Sequence, residues 1–201
     1  MLAASASVSP QATFPESVRI WDLAQVREGA SLGERVIVGR GAYIGSGVLI
    51  GAETKIQNYA LVYEPAEVGI GVFIGPGVIL TNDKSPRAVT PEMRQKDSTD
   101  WNPVGVKVHD GASIGAGAVC VAPVTIGRWA MVAAGSVVVT DVADYALVAG
   151  NPARRIGWVG RAGVRLSQVA ATPGRWVCPE SGEIFVEVGA GGIAPVSDPA
   201  L

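Results

Sequence analysis

Apolar residues recur every six positions over a long stretch of the chain. Four residues after each of the first ten stands a small or β-branched residue, and glycine often follows the aliphatic residue directly, as at Gly33 and Gly39. A helix has a period of 3.6 and an alternating strand a period of two, so neither explains the pattern. Six-residue repeats with glycine predict a parallel β-helix. The aliphatic positions are Ile20, Val26, Leu32, Val38, Ile44, Ile50, Ile56, Val62, Val68, Ile74 and Leu80.

The six-residue period stops after Leu80 and returns 28 residues later at Val108. Because this interval is not a multiple of six, we expect residues 81–107 to be an inserted loop that leaves the coil. Such a long excursion inside a compact domain is more often functional than incidental. Cys120 occupies an aliphatic position of the second run, so we expect it to be buried as a small hydrophobic residue. That run comprises Val108, Ile114, Cys120, Ile126, Val132 and Val138.

The whole pattern predicts an all-β chain with four segments. Residues 1–14 are small and polar, so we expect a flexible N-terminus, and residues 15–153 carry the coil. Residues 154–188 form a small C-terminal extension, in which two apolar runs around residues 179–182 predict a hairpin. Residues 189–201 are rich in Gly, Pro and Ala, and we expect them to form a loose tail.

Composition and charge exclude several classes of partner. The 201 residues carry a net charge of −2 and no long basic run, which argues against nucleic acid. The longest uncharged stretch, residues 111–127, keeps the six-residue period and therefore predicts stacked coil, not a membrane span. The first ten residues lack the charged and apolar regions of a signal peptide, so we expect a cytoplasmic protein. Two distant cysteines and one histidine give no metal-binding pattern.

Several segments depart from the plain repeat. They are Ile56-Gln57-Asn58, Val62-Tyr63-Glu64, Gly75-Pro76, Thr81-Asn82 with Pro86-Arg87, Gly150-Asn151-Pro152-Ala153-Arg154, Ile156-Gly157-Trp158 and Cys178-Pro179-Glu180-Ser181-Gly182-Glu183. Together with the repeats of residues 20–153, these segments resemble the hexapeptide-repeat acyltransferases. They are most similar to the N-acetyltransferases that act on the 3-amino group of UDP-2-acetamido-3-amino-2,3-dideoxyglucuronate. Enzymes that acetylate dTDP-3-amino-3,6-dideoxyhexoses are a close second. Here Asp83-Lys84-Ser85 replaces the Val-Tyr-Asn of the uronate group, and the acidic residue is closer to the dTDP group.

The resemblance implies a left-handed β-helix that transfers acetyl from acetyl-CoA, its co-substrate, to the amine of a nucleotide sugar. It also implies a homotrimer whose active sites lie in the grooves between neighbouring prisms. The insertion would then reach over a neighbour and shape the acceptor pocket. Such enzymes usually serve the assembly of cell-surface polysaccharide or glycolipid.

Asn82 and Asp83 open the insertion and are the first catalytic candidates. We expect Asn82 to position the sugar amine or an adjacent hydroxyl, although asparagine also favours turns for its own sake. Asp83 could accept a proton, bind a sugar hydroxyl or stabilise a local turn. Lys84 and Arg87 are candidate substrate-binding residues. The planar guanidinium of Arg87 suits a carboxylate or a pyrophosphate, and the alternative is a solvated surface arginine.

His109 is the only histidine and the third catalytic candidate. It follows the residue where the period resumes, so its side chain is expected to point outward from a corner. Some hexapeptide acyltransferases use a histidine base, and imidazole titrates in a suitable range. In the amino-sugar group the resemblance implies direct attack by the neutral amine, with the departing thiolate taking the proton. An exposed corner residue without catalytic role is therefore the alternative for His109.

The remaining candidates are ligand-binding residues. Gln57, Asn58, Tyr63 and Glu64 place larger polar groups at corners where glycine is usual, so we expect them to contact the sugar nucleotide. In the family the pantetheine arm runs along the later turns, where small residues are expected to leave backbone amides open. The candidates for coenzyme A are Gly115, Gly117, Ala133, Ala134 and Gly135, with Arg154 and Arg155 for its phosphates.

Two other functions stay open on the sequence alone. One is acyl transfer from acetyl-CoA to a different small acceptor, such as serine or a simple sugar. The other is a non-catalytic hexapeptide scaffold, which would not need the polar segment at residues 81–87. A carbonic anhydrase of the same fold is excluded because it needs three histidines for its metal, and the chain has one.

Overall fold

The computed structural model describes residues 1–170, 172–189 and 191–196. Short strands, most of them only two residues long, stack in parallel into three faces of a prism. Face 1 contains β1 (Ser7–Val8), β3 (Gln25–Val26), β6 (Tyr43–Ile44), β9 (Leu61–Val62), β12 (Ile79–Leu80), β15 (Val119–Cys120) and β18 (Val137–Val138). Face 2 contains β4 (Ser31–Leu32), β7 (Leu49–Ile50), β10 (Glu67–Val68), β13 (Val106–Val108) and β16 (Val124–Ile126). Face 3 contains β2 (Arg19–Ile20), β5 (Ile37–Val38), β8 (Lys55–Ile56), β11 (Phe73–Ile74), β14 (Ser113–Ile114), β17 (Met131–Val132), β19 (Ala146–Gly150) and β20 (Ala153–Trp158).

The six-residue period is the period of burial. The aliphatic residues of both runs are buried inside the prism, as predicted, and Cys120 is buried among them. Tyr43 pairs with Leu61 eighteen residues later, so three hexapeptides complete one turn of the coil. Thr54 is a polar residue of the interior, and its hydroxyl donates to the Gly69 carbonyl oxygen at 2.9 Å. Burial of this hydroxyl is therefore compensated by a hydrogen bond.

Turns of four residues connect the faces and stack into three corners. The glycine corner joins face 3 to face 1 and contains residues 39–42, 57–60, 75–78, 115–118 and 133–136. The insertion corner joins face 1 to face 2 and contains residues 27–30, 45–48, 63–66 and the insertion itself. The histidine corner joins face 2 to face 3 and contains residues 51–54, 69–72, 109–112 and 127–130.

Corner glycines have two different physical roles. Gly33 directly follows a strand, and a Cβ there would lie 2.6 Å from the Ala52 nitrogen of the next turn. Gly47 is the third residue of its corner, with φ at +67° and open space around a Cβ. Leu23 has the same conformation, with φ at 59°, so the second role favours glycine without requiring it.

The N-terminal residues do not form the flexible segment that their composition predicts. Residues 7–8 form β1, which pairs with β3, and Leu2 and Thr13 form bridges to Ile20 and Ser31. Residues 1–14 therefore add a turn to the end of the prism. The reason is that this turn provides partners for backbone groups that would otherwise stay exposed at the end of the coil.

The coil ends with β19, which pairs in parallel with β17, and the C-terminal extension begins with β20, which pairs antiparallel with β19 at the end of face 3. It continues into a four-stranded antiparallel sheet. The segment around residues 179–182 joins β22 to β23, and the expected loose tail contributes β24, while residues 197–201 lie outside the described part. No helix in the described part of the chain is long and apolar enough to cross a membrane. The strands of this sheet are β21 (Ser167–Gln168), β22 (Arg175–Val177), β23 (Ile184–Val188) and β24 (Gly192–Pro195).

Candidate functional site

The predicted site residues lie on three different corners of the prism. The insertion corner carries Tyr63, Glu64, Asn82, Asp83, Lys84 and Arg87. The glycine corner carries Gln57, Asn58, Gly115, Gly117, Ala133, Ala134 and Gly135, with Arg154 and Arg155 on β20 at its end. The histidine corner carries His109. A single chain therefore does not bring the whole set together.

The insertion is tied to the coil at its first residues. The Thr81 hydroxyl oxygen accepts a hydrogen bond from the Ala122 N–H at 2.9 Å, across the gap that the insertion leaves in the chain. The Asn82 carbonyl oxygen accepts another from the Val104 N–H at 3.0 Å, which closes the loop. Because both bonds are made at its base, the loop presents Asn82 in a fixed backbone position.

The return of the insertion packs on the coil as well. Gly105 lies so close to the Pro65 carbonyl that a side chain at this position would collide with it. The coil resumes with β13 at Val106, so the insertion comprises residues 81–105, two fewer than predicted. The loop base thus lies directly over the turn that contains Tyr63 and Glu64.

The polar residues at the start of the insertion differ in how they are engaged. Asn82 is half-buried, and its side-chain amide makes no hydrogen bond within the described residues. An oxygen of Asp83 accepts a hydrogen bond from the Ser85 N–H at 2.8 Å. This bond stabilises a local turn, which is one of the roles considered for Asp83 above. Lys84 and Arg87 are exposed, and among the described residues Arg87 bonds only to the carbonyl of the preceding residue. Asn82 and the two cations are therefore available to a ligand.

Tyr63 and Glu64 form a half-buried cluster with Tyr43, which the sequence analysis missed. The rings of Tyr43 and Tyr63 lie 5.2 Å apart at an angle of 46°. The Glu64 carboxylate lies over Gly45, and its buried Oε2 has no hydrogen-bond partner among the described residues. Burial and then the Glu64 charge raise the pKa of Tyr43. Tyr43 could have been found by counting back 18 residues from Leu61, which places it next to this corner.

Gln57 and Asn58 lie at the early turns of the glycine corner. Asn58 has a structural role, because its side-chain oxygen accepts a hydrogen bond from the Arg40 N–H of the turn below at 2.9 Å. Gln57 borders a depression of about 320 Å³ that Trp21, Asp22 and Arg40 also line. The local sequence pattern does not mark these three residues as neighbours of Gln57, although a shift of 18 residues places Arg40 below Asn58.

Four of the five small residues of the glycine corner do not leave their amides free, contrary to our expectation, whereas the Ala134 N–H donates to no acceptor among the described residues. Gly115 and Gly117 donate to the carbonyl oxygens of Val132 and Pro76, at 2.8 and 2.9 Å. Ala133 and Gly135 also donate to neighbouring turns, because each turn of a parallel coil uses the next one for its hydrogen bonds. The surface beside this corner is nevertheless open, since no atom of the described residues lies within 4 Å of a Cβ built at Gly117 or Gly135.

Arg154 and Arg155 lie at the end of the glycine corner. The Gly150 N–H donates to the Ser136 hydroxyl oxygen at 3.2 Å, which seats the β19–β20 turn on this corner. Both arginines are exposed and line a depression of about 270 Å³. The Arg155 guanidinium lies 4.2 Å from the centroid of the Trp158 ring, which is a cation–π contact. The pair thus presents two positive charges beside the open surface of the later turns.

His109 lies on the histidine corner, away from Asn82. Its side chain is exposed, as predicted, and borders a shallow depression of about 260 Å³. Lys107 and Glu67 line the same depression and form an ion pair at 3.2 Å. Nothing in one chain orients His109 toward the insertion.

Comparisons with known proteins agree with this architecture. No family model matches the chain. A hexapeptide-repeat-containing acetyltransferase from Vibrio cholerae, solved with acetyl coenzyme A, is 29% identical with a TM-score of 0.54, over 66% of this chain and 72% of that one. The chain therefore has the left-handed β-helix fold of hexapeptide-repeat proteins.

Two curated relatives are similar to parts of the chain, and one of them is an acetyltransferase by name. The dTDP-3-amino-3,6-dideoxy-alpha-D-galactopyranose 3-N-acetyltransferase of Aneurinibacillus thermoaerophilus is 62% identical over 52 residues, 26% of this chain and 27% of that protein. The bifunctional protein GlmU of Thermotoga maritima is 33% identical over 152 residues, 74% of this chain and 30% of that protein. The chain thus spans less than a third of the length of either relative.

Proposed function

We propose that the protein is an acetyl-CoA-dependent N-acetyltransferase acting on the 3-amino group of a nucleotide-linked amino sugar. The observation that carries the proposal is the 62% identity over 52 residues to a dTDP-3-amino sugar 3-N-acetyltransferase. That relative favours a dTDP sugar, as does Asp83 after Asn82, over the UDP-uronate that the sequence motifs favour as a set.

The acetyl donor is assigned to the glycine corner. Gly117 and Gly135 leave open space along it, and Arg154 and Arg155 present positive charge at its end. An extended pantetheine arm fits such a surface through apolar contact and through the Ala134 N–H, since the coil already uses the amides of the other four candidates. Guanidinium groups are suited to the phosphates of coenzyme A. The solved acetyltransferase that the chain resembles contains acetyl coenzyme A, which supports this co-substrate.

The acceptor is assigned to the insertion corner, where Asn82 and its neighbours are free to bind. Donor and acceptor would then lie on different corners, and one prism cannot join them. A homotrimer resolves this, because a three-fold axis sets one corner of a prism against another corner of its neighbour. We therefore propose that each active site takes its donor surface and its acceptor residues from two chains.

The outer surface of face 1 supports a trimer. Its outward side chains over four successive turns are aliphatic, whereas those of face 2 are charged or polar at the same height. An aliphatic sheet surface gains free energy when a second prism covers it. The residues of face 1 are Leu61, Ile79, Val119 and Val137, and those of face 2 are Glu67, Lys107 and Thr125.

In the proposed reaction the neutral sugar amine attacks the thioester carbonyl carbon. A carbon–nitrogen bond forms, the carbon–sulfur bond breaks, and the coenzyme A thiolate takes the proton that the amine loses. Asn82 positions the amine, which supplies the orientation that such a transfer needs. His109 as a general base is the alternative, and the exposure of its side chain on another corner disfavours it. An enzyme that acetylates nucleotide sugars for surface glycans would act in the cytoplasm.

A thiol-release assay tests the proposal. Purified protein is incubated with acetyl-CoA and a panel of dTDP- and UDP-linked 3-amino sugars, and free thiol is followed with time. We expect turnover with a nucleotide-linked 3-amino sugar and none with serine. Turnover with serine alone would support the rival acceptor, and no rise in melting temperature with millimolar acetyl-CoA would support a scaffold.

A further inference from the structure

A recurring contact at the corners shows what the fold itself requires of a polar corner residue. At three places the second residue of a corner covers a glycine of the turn below and accepts a hydrogen bond from that turn. In each case the acceptor is a side chain with one methylene between Cα and the polar group. The pairs are Asn58 with the Arg40 N–H at 2.9 Å, Asp110 with the Ile70 N–H at 2.8 Å, and Asp144 with the Arg128 N–H at 2.7 Å.

Glu64 occupies the equivalent place over Gly45, but it does not make the equivalent bond. The N–H at this height belongs to Ser46, and Oε2 of Glu64, although buried, accepts from no donor in the part of the chain that the structure describes. Glutamate has one methylene more than aspartate, which carries its carboxylate past the position where the other corners form the bond. A buried carboxylate oxygen without a donor is unfavourable. The fold would therefore be better served by aspartate, and it does not explain Glu64.

The surroundings of Glu64 indicate what it binds. The ring of Tyr63 and that of Tyr43 stand beside it, and Asn82 lies one turn above on the same corner. Aromatic faces combined with a carboxylate and an amide suit a sugar ring, which has apolar faces and hydroxyl donors at its edge. Glu64 also keeps part of its surface exposed, so a ligand can approach it.

The chemistry of the reaction decides which sugar group faces Glu64. An ionised carboxylate next to the reacting amine would stabilise its protonated form, which is not a nucleophile. A ring hydroxyl has no such conflict, and it forms a strong hydrogen bond with a carboxylate.

We propose that Glu64 is a substrate-positioning residue that accepts a hydrogen bond from a ring hydroxyl of the acceptor sugar. This inference rests on the proposed N-acetyltransferase function and deepens it. Glu64 lacks the hydrogen bond to the coil that the other corners make and instead provides a hydrogen bond to the substrate. It therefore lowers the stability of the folded chain at a position where it contributes to substrate binding. Stability and activity should therefore move in opposite directions when it is shortened.

Glu64→Asp tests this directly. The shorter carboxylate should accept from the Ser46 N–H as the other corners do, and we expect the melting temperature to rise by about 2–4 °C. The same change withdraws the group from the substrate. We therefore expect kcat/KM for the acceptor to fall about 10- to 100-fold, through KM for the acceptor, with KM for acetyl-CoA unchanged.

Asp144→Glu is the matched control, because it lengthens a corner carboxylate outside the proposed site. It should lose the Arg128 N–H bond, lower the melting temperature and leave kcat/KM unchanged. Glu64→Gln keeps the length of the side chain and removes its charge, so it separates hydrogen bonding from packing. We expect it to raise KM for the acceptor less than Glu64→Asp does, without a rise in melting temperature.

The failure of this inference is distinct from the failure of the proposed function. If wild type acetylates a nucleotide amino sugar and Glu64→Asp does so with an unchanged acceptor KM, Glu64 does not position the substrate while the enzyme assignment stands. A fall in both melting temperature and kcat would also overturn the inference, since it would mean that Glu64 is needed for the fold. Wild type that acetylates none of the sugars overturns both.

Discussion

The same substitution, threonine to valine, is expected to change stability in opposite directions at two positions of the insertion region. Thr81 Oγ1 accepts a hydrogen bond from the Ala122 N–H at 2.9 Å. Thr90 lies within the insertion, and its buried Oγ1 has no hydrogen-bond partner within residues 1–170, 172–189 and 191–196. Valine has nearly the shape of threonine, so Thr81→Val and Thr90→Val each remove a hydroxyl and leave the packing almost unchanged.

The magnitudes follow from what each hydroxyl does. Thr81→Val leaves the Ala122 N–H without its acceptor, and because the site is part-buried we expect a loss of about 1–2 kcal/mol in unfolding free energy. For a chain of this size that loss lowers the melting temperature by about 2–8 °C. Thr90→Val removes a buried group that has no partner, so its melting temperature should stay the same or rise by a few degrees.

Thermal unfolding of the two variants beside wild type measures these shifts. Hydrogen exchange at the Ala122 amide adds a local reading, which should accelerate in Thr81→Val and stay unchanged in Thr90→Val. Because Thr81 holds the base of the insertion, its variant should also lose kcat/KM for the acceptor. Equal shifts of the same sign in both variants, or unchanged exchange at Ala122, would refute the account of how the insertion is anchored.

Three further predictions concern catalysis, assembly and the core. His109→Asn should keep full turnover while Asn82→Ala loses about 100-fold, and a loss of that size in His109→Asn instead would establish a histidine base. Asn82→Ala and Ala134→Tyr chains, each with its own affinity tag, can be co-expressed and purified on both tags as mixed trimers. We expect these trimers to have about a third of wild-type activity, because one of their three active sites combines an intact donor surface with intact acceptor residues. No activity in the mixed trimers would indicate that donor surface and acceptor residues come from one chain. Burial raises the pKa of Cys120 to about 12, so the thiol's contribution to stability is complete below its unfolded pKa near 9 and is lost as pH rises toward 12. Cys120→Ala should lose less stability than wild type over that range in urea titrations, and an identical pH dependence would contradict the buried position.

The repeat made most of the fold predictable, and particular residues show where prediction failed. Burial of an aliphatic residue at every sixth position, Cys120 included, follows from local pattern alone, because each hexapeptide must turn the same side inward. The flexible N-terminus was wrong because polar composition does not show that a coil end offers unpaired backbone groups to residues 1–14. The open amides expected at Gly115 were wrong because their partners belong to the neighbouring turn.

The candidate site was predictable as a set of residues but not as an arrangement. Asn58 and Glu64 look alike in the sequence, since both are polar residues at a corner. In the structure Asn58 bonds to the coil below it, whereas Glu64 covers a glycine and finds no donor for Oε2 among the described residues. The two side chains differ by one methylene. Whether the polar group meets the N–H of the turn below depends on the spacing of stacked turns, and no local sequence pattern contains that spacing.

The sequence alone determined the coil, its period and the point where residues 81–105 leave it, since these depend on which side chains can be buried in a strand of two residues. The tertiary structure decided which residues stand above one another, because stacking joins positions 18 apart in most turns and 40 apart across the insertion. It thereby divided the candidate residues among three corners. That division is the physical reason for proposing that a second chain completes the site.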